Sequence, residues 1–449
     1  MADQTFDVIV IGSGPGGSHA AKKLAKEGKD VAVIDYHFGG TCALRGCTPK
    51  KAIEAVTSTL STARRLRGHG VPDIDLRADW HGLQIHRQDF NEQVVANTKI
   101  MFRKKGMTVI EGKAKFTGKK TLSVNGKTYT APHIIVAVGA VPRPLDFPGS
   151  EYLTSSGKFL NQQNLPKRLV FAGGGYVGFE LAHIAAACGS ECIIVSDTYK
   201  PLQQFESDMV TQLIDSTLRR GIQVRTGYTV KKVEKSEGEY KVIVENDQGE
   251  VHHLFTDAVI HSAGRVPATA DLNLEAAEAE TEDGAIVTTD FLRSTTNKYV
   301  WAVGDVTGKV PLTSAASVAG NLVAENILHD REEKMDYSLF PTVLFTQPKL
   351  AGVGKTLMQL EEEGIAYQVR QRETTKNLTE KAYHSLSGGG KILLDEKGEK
   401  ILGAHLIGHH AHEVINLLGM AMQFGISAKD FKNMKTAYPT SSNAVKGIL

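Results

Sequence analysis

The chain has 449 residues, enough for two to four domains with large cores. Its 52 basic and 50 acidic residues leave a net charge of +2, with no basic arm or aromatic-basic stripe, so nucleic acid is not an expected partner. Four cysteines (Cys42, Cys47, Cys188 and Cys192) are too few for a disulfide-stapled secreted fold, and the expected location is cytoplasmic.

The N-terminus reads as an apolar strand without a leader pattern, and no apolar run has membrane length. The strand ends in a G-x-G-x-x-G loop, Gly12, Gly14 and Gly17, followed by a helical segment to about Gly28. A second strand then ends at Asp35. Gly12 permits a tight turn, Gly14 lets the backbone approach a pyrophosphate, and Gly17 lets helix pack on strand. The helix N-terminus offers amide donors to phosphate, and Asp35 can accept from ribose hydroxyls.

Directly after this unit comes Gly39, Gly40, Thr41, Cys42 and, with four residues between, Cys47, then Thr48, Pro49, Lys50 and Lys51. A close cysteine pair in a reducing compartment is redox-active or metal-binding. No second Cys or His pair follows at zinc spacing, so no metal is expected. Thr48 and Pro49 read as N-cap and first residue of a helix. The helix dipole and the neighbouring lysines would then favour a Cys47 thiolate.

A second copy of the nucleotide unit begins at Arg168, with Gly173, Gly175 and Gly178 in the loop, then Tyr176 and Glu180 on the helix and a strand over 192–195. The offset that leads from Gly12 to Asp35 leads from Gly173 to Ser196, with Asp197 next. Asp197 points to NAD and Lys200 to NADP, so the coenzyme choice stays open. Two such units imply two dinucleotides.

At this point the chain resembles the class I pyridine nucleotide-disulfide oxidoreductases, the glutathione reductase and dihydrolipoamide dehydrogenase family. The likeness includes Gly139 after an apolar strand, Gly264 and Arg265 in an A-x-G-R-x-P-like segment, and Gly304 and Asp305 in an A-x-G-D-like segment. It implies an α/β fold with two Rossmann-like domains, for FAD and NAD(P), and a C-terminal α+β dimerisation domain. The corresponding boundaries are 1–148, 149–266, 267–335 (completing the FAD site) and 336–449. It also implies a homodimer and electron flow from NAD(P)H through FAD and a Cys42–Cys47 disulfide to a small-molecule or protein disulfide. Cys47 would be the flavin-side thiol and Cys42 the one that attacks substrate. Gly40 and Thr41 would join the flavin site, Asp305 would bond the ribityl chain, and Gly264 and Arg265 would lie by the nicotinamide nucleotide. Lys50 or Lys51 would pair with Glu180, and Tyr176 would gate the nicotinamide.

One segment departs from the family. Where its disulfide reductases carry His-Pro-Thr-x-x-Glu, this chain has Tyr438, Pro439, Thr440 and Asn443. A phenol, with a reference pKa near ~10 against about 6.5 for imidazole, is a poor base at neutral pH. Tyr438 is therefore either an altered catalytic group or a space-filler. Alternatives are a diaphorase or oxidase, and a mercuric-reductase-like metal-thiolate reductase, although the extra C-terminal cysteine pair of mercuric reductases is missing. Cys188 and Cys192 read as structural, and His409, His410 and His412 as a solvated loop.

Overall fold

The computed structural model describes residues 4–449. It divides into two compact units: Met1–Ala52, Ile85–Arg143 and Gly264–Tyr337 form the first, and Ile53–Gln84, Pro144–Ala263 and Ser338–Leu449 the second.

The first unit is built on a five-stranded sheet in the order Val300–Ala302, His133–Val136, Val8–Ile11, Val31–Asp35, Thr108–Glu111, parallel at every pairing. Val8, Ile9 and Val10 are fully buried, as a strand covered on both faces requires. The helix Pro15–Lys26 follows the first glycine loop and packs closely on Thr313–His329; a side chain on Gly320 would collide with the Gly16 carbonyl. A four-stranded sheet (Gln4–Thr5, Lys127–Thr130, Thr121–Val124, Lys115–Gly118) completes this unit's framework.

The second unit repeats the parallel design in the order Thr154–Ser155, Ala258–His261, Arg168–Ala172, Glu191–Ser196, Gln223–Thr226. A three-stranded antiparallel sheet, Tyr228–Ser236, Glu239–Asn246 and Val251–Thr256, belongs to the same unit. Its C-terminal part is a five-stranded antiparallel sheet, ordered Thr342–Leu344, Lys349–Gly354, Ile401–Gly408, Gly389–Asp395, Tyr367–Glu373. The helix Ala411–Gln423 lays Val414, Ile415, Leu418 and Ala421 into this domain's core at helical spacing, while Met420 stays exposed. The observed architecture is thus the expected one, two parallel α/β sheets and a C-terminal α+β domain. Among the described residues no helix is long and apolar enough to cross a membrane.

Candidate functional site

The first glycine loop has the shape a pyrophosphate needs. Gly12 sits at φ +103, and a side chain there would run into the Ala137 carbonyl; one on Gly17 would run into Gly12 O. Gly14 is the N-cap of Pro15–Lys26 and supplies no side chain to the helix terminus, which leaves the amide donors of the first turn for a ligand. At the end of the neighbouring strand, Asp35 Oδ2 accepts from the N–H and the hydroxyl of Ser13, each at 2.7 Å, and Oδ1 accepts from His37 N–H at 2.8 Å. A carboxylate offers about four acceptor positions, so these three bonds fix Asp35 and leave capacity for a ribose hydroxyl. Gly40, with φ +71, lies against Gly14; Thr41 is half-buried on the short helix Gly40–Arg45.

Asp305 lies in the 3₁₀ turn Gly304–Thr307 of the same unit. Burial pushes its carboxyl up, and the Arg265 guanidinium opposes that shift. A half-buried carboxylate in this turn could accept from a ligand's hydroxyls. Arg265 itself donates to the Ala140 carbonyl, and its strand pairs with Ala140–Pro142, so both it and Gly264 are held in the first unit. Gly139, at φ +71, leads into that paired segment. An uncapped helix terminus, a glycine-rich loop and two carboxylates that follow strands fit a flavin dinucleotide.

The cysteine pair lies in this unit as well. The expected helix start at Thr48–Pro49 is corrected: the helix runs Cys47–Arg65, and a separate short helix, Gly40–Arg45, holds Cys42. Gly46, at φ −133 and ψ −110, breaks the chain between them, and Lys50 N–H donates to its carbonyl. Pro49 is tolerated as third residue because first-turn N–H groups have no intrahelical acceptor. Cys47 therefore stands even closer to the positive end of the helix dipole than expected. Cys47 is exposed and Cys42 half-buried. The Thr313 hydroxyl donates to Cys42 Sγ at 3.3 Å and lies 3.5 Å from Cys47 Sγ. The Cys42 pKa is driven well above the ordinary thiol range, first by its hydrogen bond with Cys47 and then by burial, while Thr313 pulls it down. Lys50 on the same helix is half-buried and Lys51 exposed.

In the second unit the loop restrictions recur: Gly173 has φ +122, and a side chain on Gly178 would meet the Gly173 carbonyl. Gly175 is the N-cap of the helix Tyr176–Ala187, and Tyr176 is 43% exposed. Ser196 is buried against Gly174, with its hydroxyl 3.2 Å from Thr198 Oγ1, while Asp197 and Lys200 are exposed. Glu180 is 3% exposed, and its carboxylate accepts from Phe345 N–H at 2.8 Å. One turn on, His183 Nδ1 accepts from Gln347 N–H at 3.2 Å, and Nε2 lies 3.0 Å from Thr217 Oγ1.

Tyr438 is 75% exposed, so within one chain it fills no space. Thr440 caps the helix Ser441–Lys446 through Asn443 N–H, and the Asn443 amide donates to Thr436 Oγ1 at 2.9 Å. The solvated-loop reading of His409, His410 and His412 is corrected. All three are half-buried, with His409 and His410 packed on Tyr383 and His412 on Phe345, and burial lowers the His409 pKa to about 4. Among the described residues no group of three or more His, Cys, Asp or Glu could hold a metal ion. Cys192 is buried, and burial pushes Cys188 up to about 12, an inert setting for a thiol.

Ser13 and Thr313 were not singled out from the sequence. Ser13 sits inside the glycine loop and could have been read as a second anchor for Asp35. Thr313 carries no local signal; only the fold brings it to cysteines more than two hundred residues away.

The family profile described as "Pyridine nucleotide-disulphide oxidoreductase" matches residues 6–320, and that for the family's dimerisation domain matches residues 340–448. A mercuric reductase from Staphylococcus aureus is 30% identical over 99% of this chain and 82% of its own length. A glutathione reductase from Yarrowia lipolytica is 30% identical, with 97% of each chain covered. Dihydrolipoyl dehydrogenase 2, mitochondrial, from Arabidopsis thaliana is 31% identical over 98% of this chain and 89% of its own. Among solved structures, the Cu(II) complex of the HOCl-induced flavoprotein disulfide reductase RclA from Escherichia coli superposes with a TM-score of 0.88 at 25% identity, covering 100% of this chain and 99% of that one.

Proposed function

The chain belongs to the class I pyridine nucleotide-disulphide oxidoreductases, enzymes that use FAD and NAD(P)H, and from that premise we propose that it reduces a disulfide acceptor through Cys42 and Cys47. The observation that carries this reading is the Thr313 hydroxyl in contact with both sulfurs at the first turn of the Cys47 helix. Bound FAD supplies the two-electron carrier between the nicotinamide coenzyme and the sulfur pair. Gly12, Gly14, Gly17, Asp35, Gly40, Thr41, Gly139, Gly304 and Asp305 would hold it. Gly173, Gly175, Gly178, Tyr176, Ser196 and Asp197 would hold the coenzyme, with Gly264 and Arg265 beside it.

In the proposed exchange the Cys42 thiolate attacks one acceptor sulfur, breaks the acceptor disulfide and forms a mixed disulfide. Cys47 thiolate then attacks Cys42 Sγ, closes the Cys42–Cys47 bond and releases the second acceptor thiol. The dithiol loses two electrons and two protons, and the acceptor gains both. Cys42 must give up its proton before it attacks, and Tyr438 is a poor base for that step. A slow disulfide reductase, homodimeric through residues 336–449 and divided at 148, 266 and 335, is the reading these residues support. Cys42→Ser tests it: disulfide turnover should vanish while quinone reduction by the same flavoprotein persists. Retained disulfide turnover would refute it.

A second reading, reduction of a thiolate-bound metal ion, draws support from the phenol at position 438. It also draws on similarity to proteins described as a mercuric reductase and as a Cu(II) complex. Loss of metal-ion reduction in Cys42→Ser, with glutathione disulfide inert in the unaltered protein, would favour it.

A further inference from the structure

Cys42 holds its proton tightly, yet the exchange proposed above needs it as a thiolate. The group placed to help is Thr313. It is the first residue of the helix Thr313–His329, so its position is set by that helix's packing against Pro15–Lys26 in the same unit. Its hydroxyl has one proton and two lone pairs. In the structure the proton goes to Cys42 at 3.3 Å, and Cys47 Sγ stands 3.5 Å from the same oxygen. A rotation of one O–H bond moves the donor from one sulfur to the other without displacing any heavy atom. The α-helix starting at Thr313 and the one starting at Cys47 both begin at this point, so two dipole termini favour negative charge there.

We propose that Thr313 is a positioning residue whose hydroxyl follows the negative charge between Cys42 and Cys47, stabilising whichever sulfur is ionised. It thereby takes over part of the thiol activation that the phenol at position 438 does not provide. This rests on the Cys42–Cys47 reading above. The hydroxyl is not a base; during exchange it donates to Cys42 as that thiolate attacks and to Cys47 as Cys47 closes the disulfide. The charged and titratable groups concerned are Cys42 and Cys47 themselves, with Lys50 and Lys51 on the Cys47 helix.

The test is the pH profile of iodoacetamide alkylation of the anaerobically reduced, flavin-loaded protein, with the modified cysteine identified by peptide mass. Thr313→Val should shift the thiol titration upward by about one pH unit, and so slow alkylation near neutral pH about tenfold, whereas Thr313→Ser should restore the original profile. Thr313→Ala serves equally if the valine variant does not take up flavin. Profiles of Val or Ala variants that superimpose on the parent would overturn the inference. The disulfide-reductase reading fails separately, by retained turnover in Cys42→Ser, whatever the alkylation shows.

Discussion

Lys349 and Glu54 form an ion pair that water hardly reaches. Their side chains are 3% and 2% exposed, and Lys349 Nζ lies 3.1 Å from Glu54 Oε1. Lys349 Nζ also donates to Ser58 Oγ at 3.0 Å. The Gln347 amide donates to Glu54 at 3.2 Å and to Ser58 at 2.9 Å. Lys349→Met removes the cation and leaves the carboxylate in the same dry setting. The cost expected for breaking such a pair is about 3–5 kcal/mol. On the scale of a domain of roughly 150–250 residues, 3 kcal/mol lowers the thermal midpoint by about 6–12 °C. Replacing both members, Glu54→Gln with Lys349→Met, should recover most of the loss, because no unbalanced charge is left behind. Thermal unfolding followed by circular dichroism on the parent, both single variants and the double variant gives the coupling directly. A Lys349→Met midpoint within about 2 °C of the parent would refute the reasoning. It would mean that the carboxylate is solvated or carries a proton.

Burial holds His183 neutral down to about pH 3, with the Arg220 charge adding to the effect. Its folded pKa is depressed, so the unfolded chain binds the proton first and stability falls as pH drops below about 6.5, by about 1.4 kcal/mol at pH 5.5. Urea unfolding at pH 7.5 and 5.5 should show that His183→Gln loses about this much of the pH dependence; an unchanged difference would contradict the assignment. Tyr438→His combined with Asn443→Glu should raise glutathione disulfide reduction at pH 7 at least tenfold, given that acid–base help is worth about 10²–10⁴ in rate. A folded double variant no faster than the parent in a coenzyme-oxidation assay would count against the lost-base account.

Both glycine loops were legible because their constraint is local: a turn at positive φ, then a helix that packs without a side chain in the way. The strand ending at Asp35 followed for the same reason. The cysteine segment was legible as chemistry and less so as geometry. Pro49 suits the first or the third helical position equally, and only Gly46, folded between two helices, decides for Cys47 as the start. The place of Glu180 after the loop points to a role, but its bond to Phe345 N–H depends on a partner far along the chain. Polar residues such as Thr313, Glu54 and Lys349 have no periodicity to announce them; their roles come from tertiary neighbours alone. The burial of the histidines at 409, 410 and 412 has no local signal for the same reason, since Tyr383 and Phe345 pack on them from elsewhere in the chain.

The backbone amides of Phe345 and Gln347 are tied to Glu180 and His183, one helical turn apart. Two buried clasps on a single helix face work as a hinge pin with no play. Swinging the coenzyme-binding lobe against the C-terminal sheet would tear both open at once, away from any water that could replace them. Movement within this unit is then easiest at the first turn of that helix, where Tyr176 is 43% exposed.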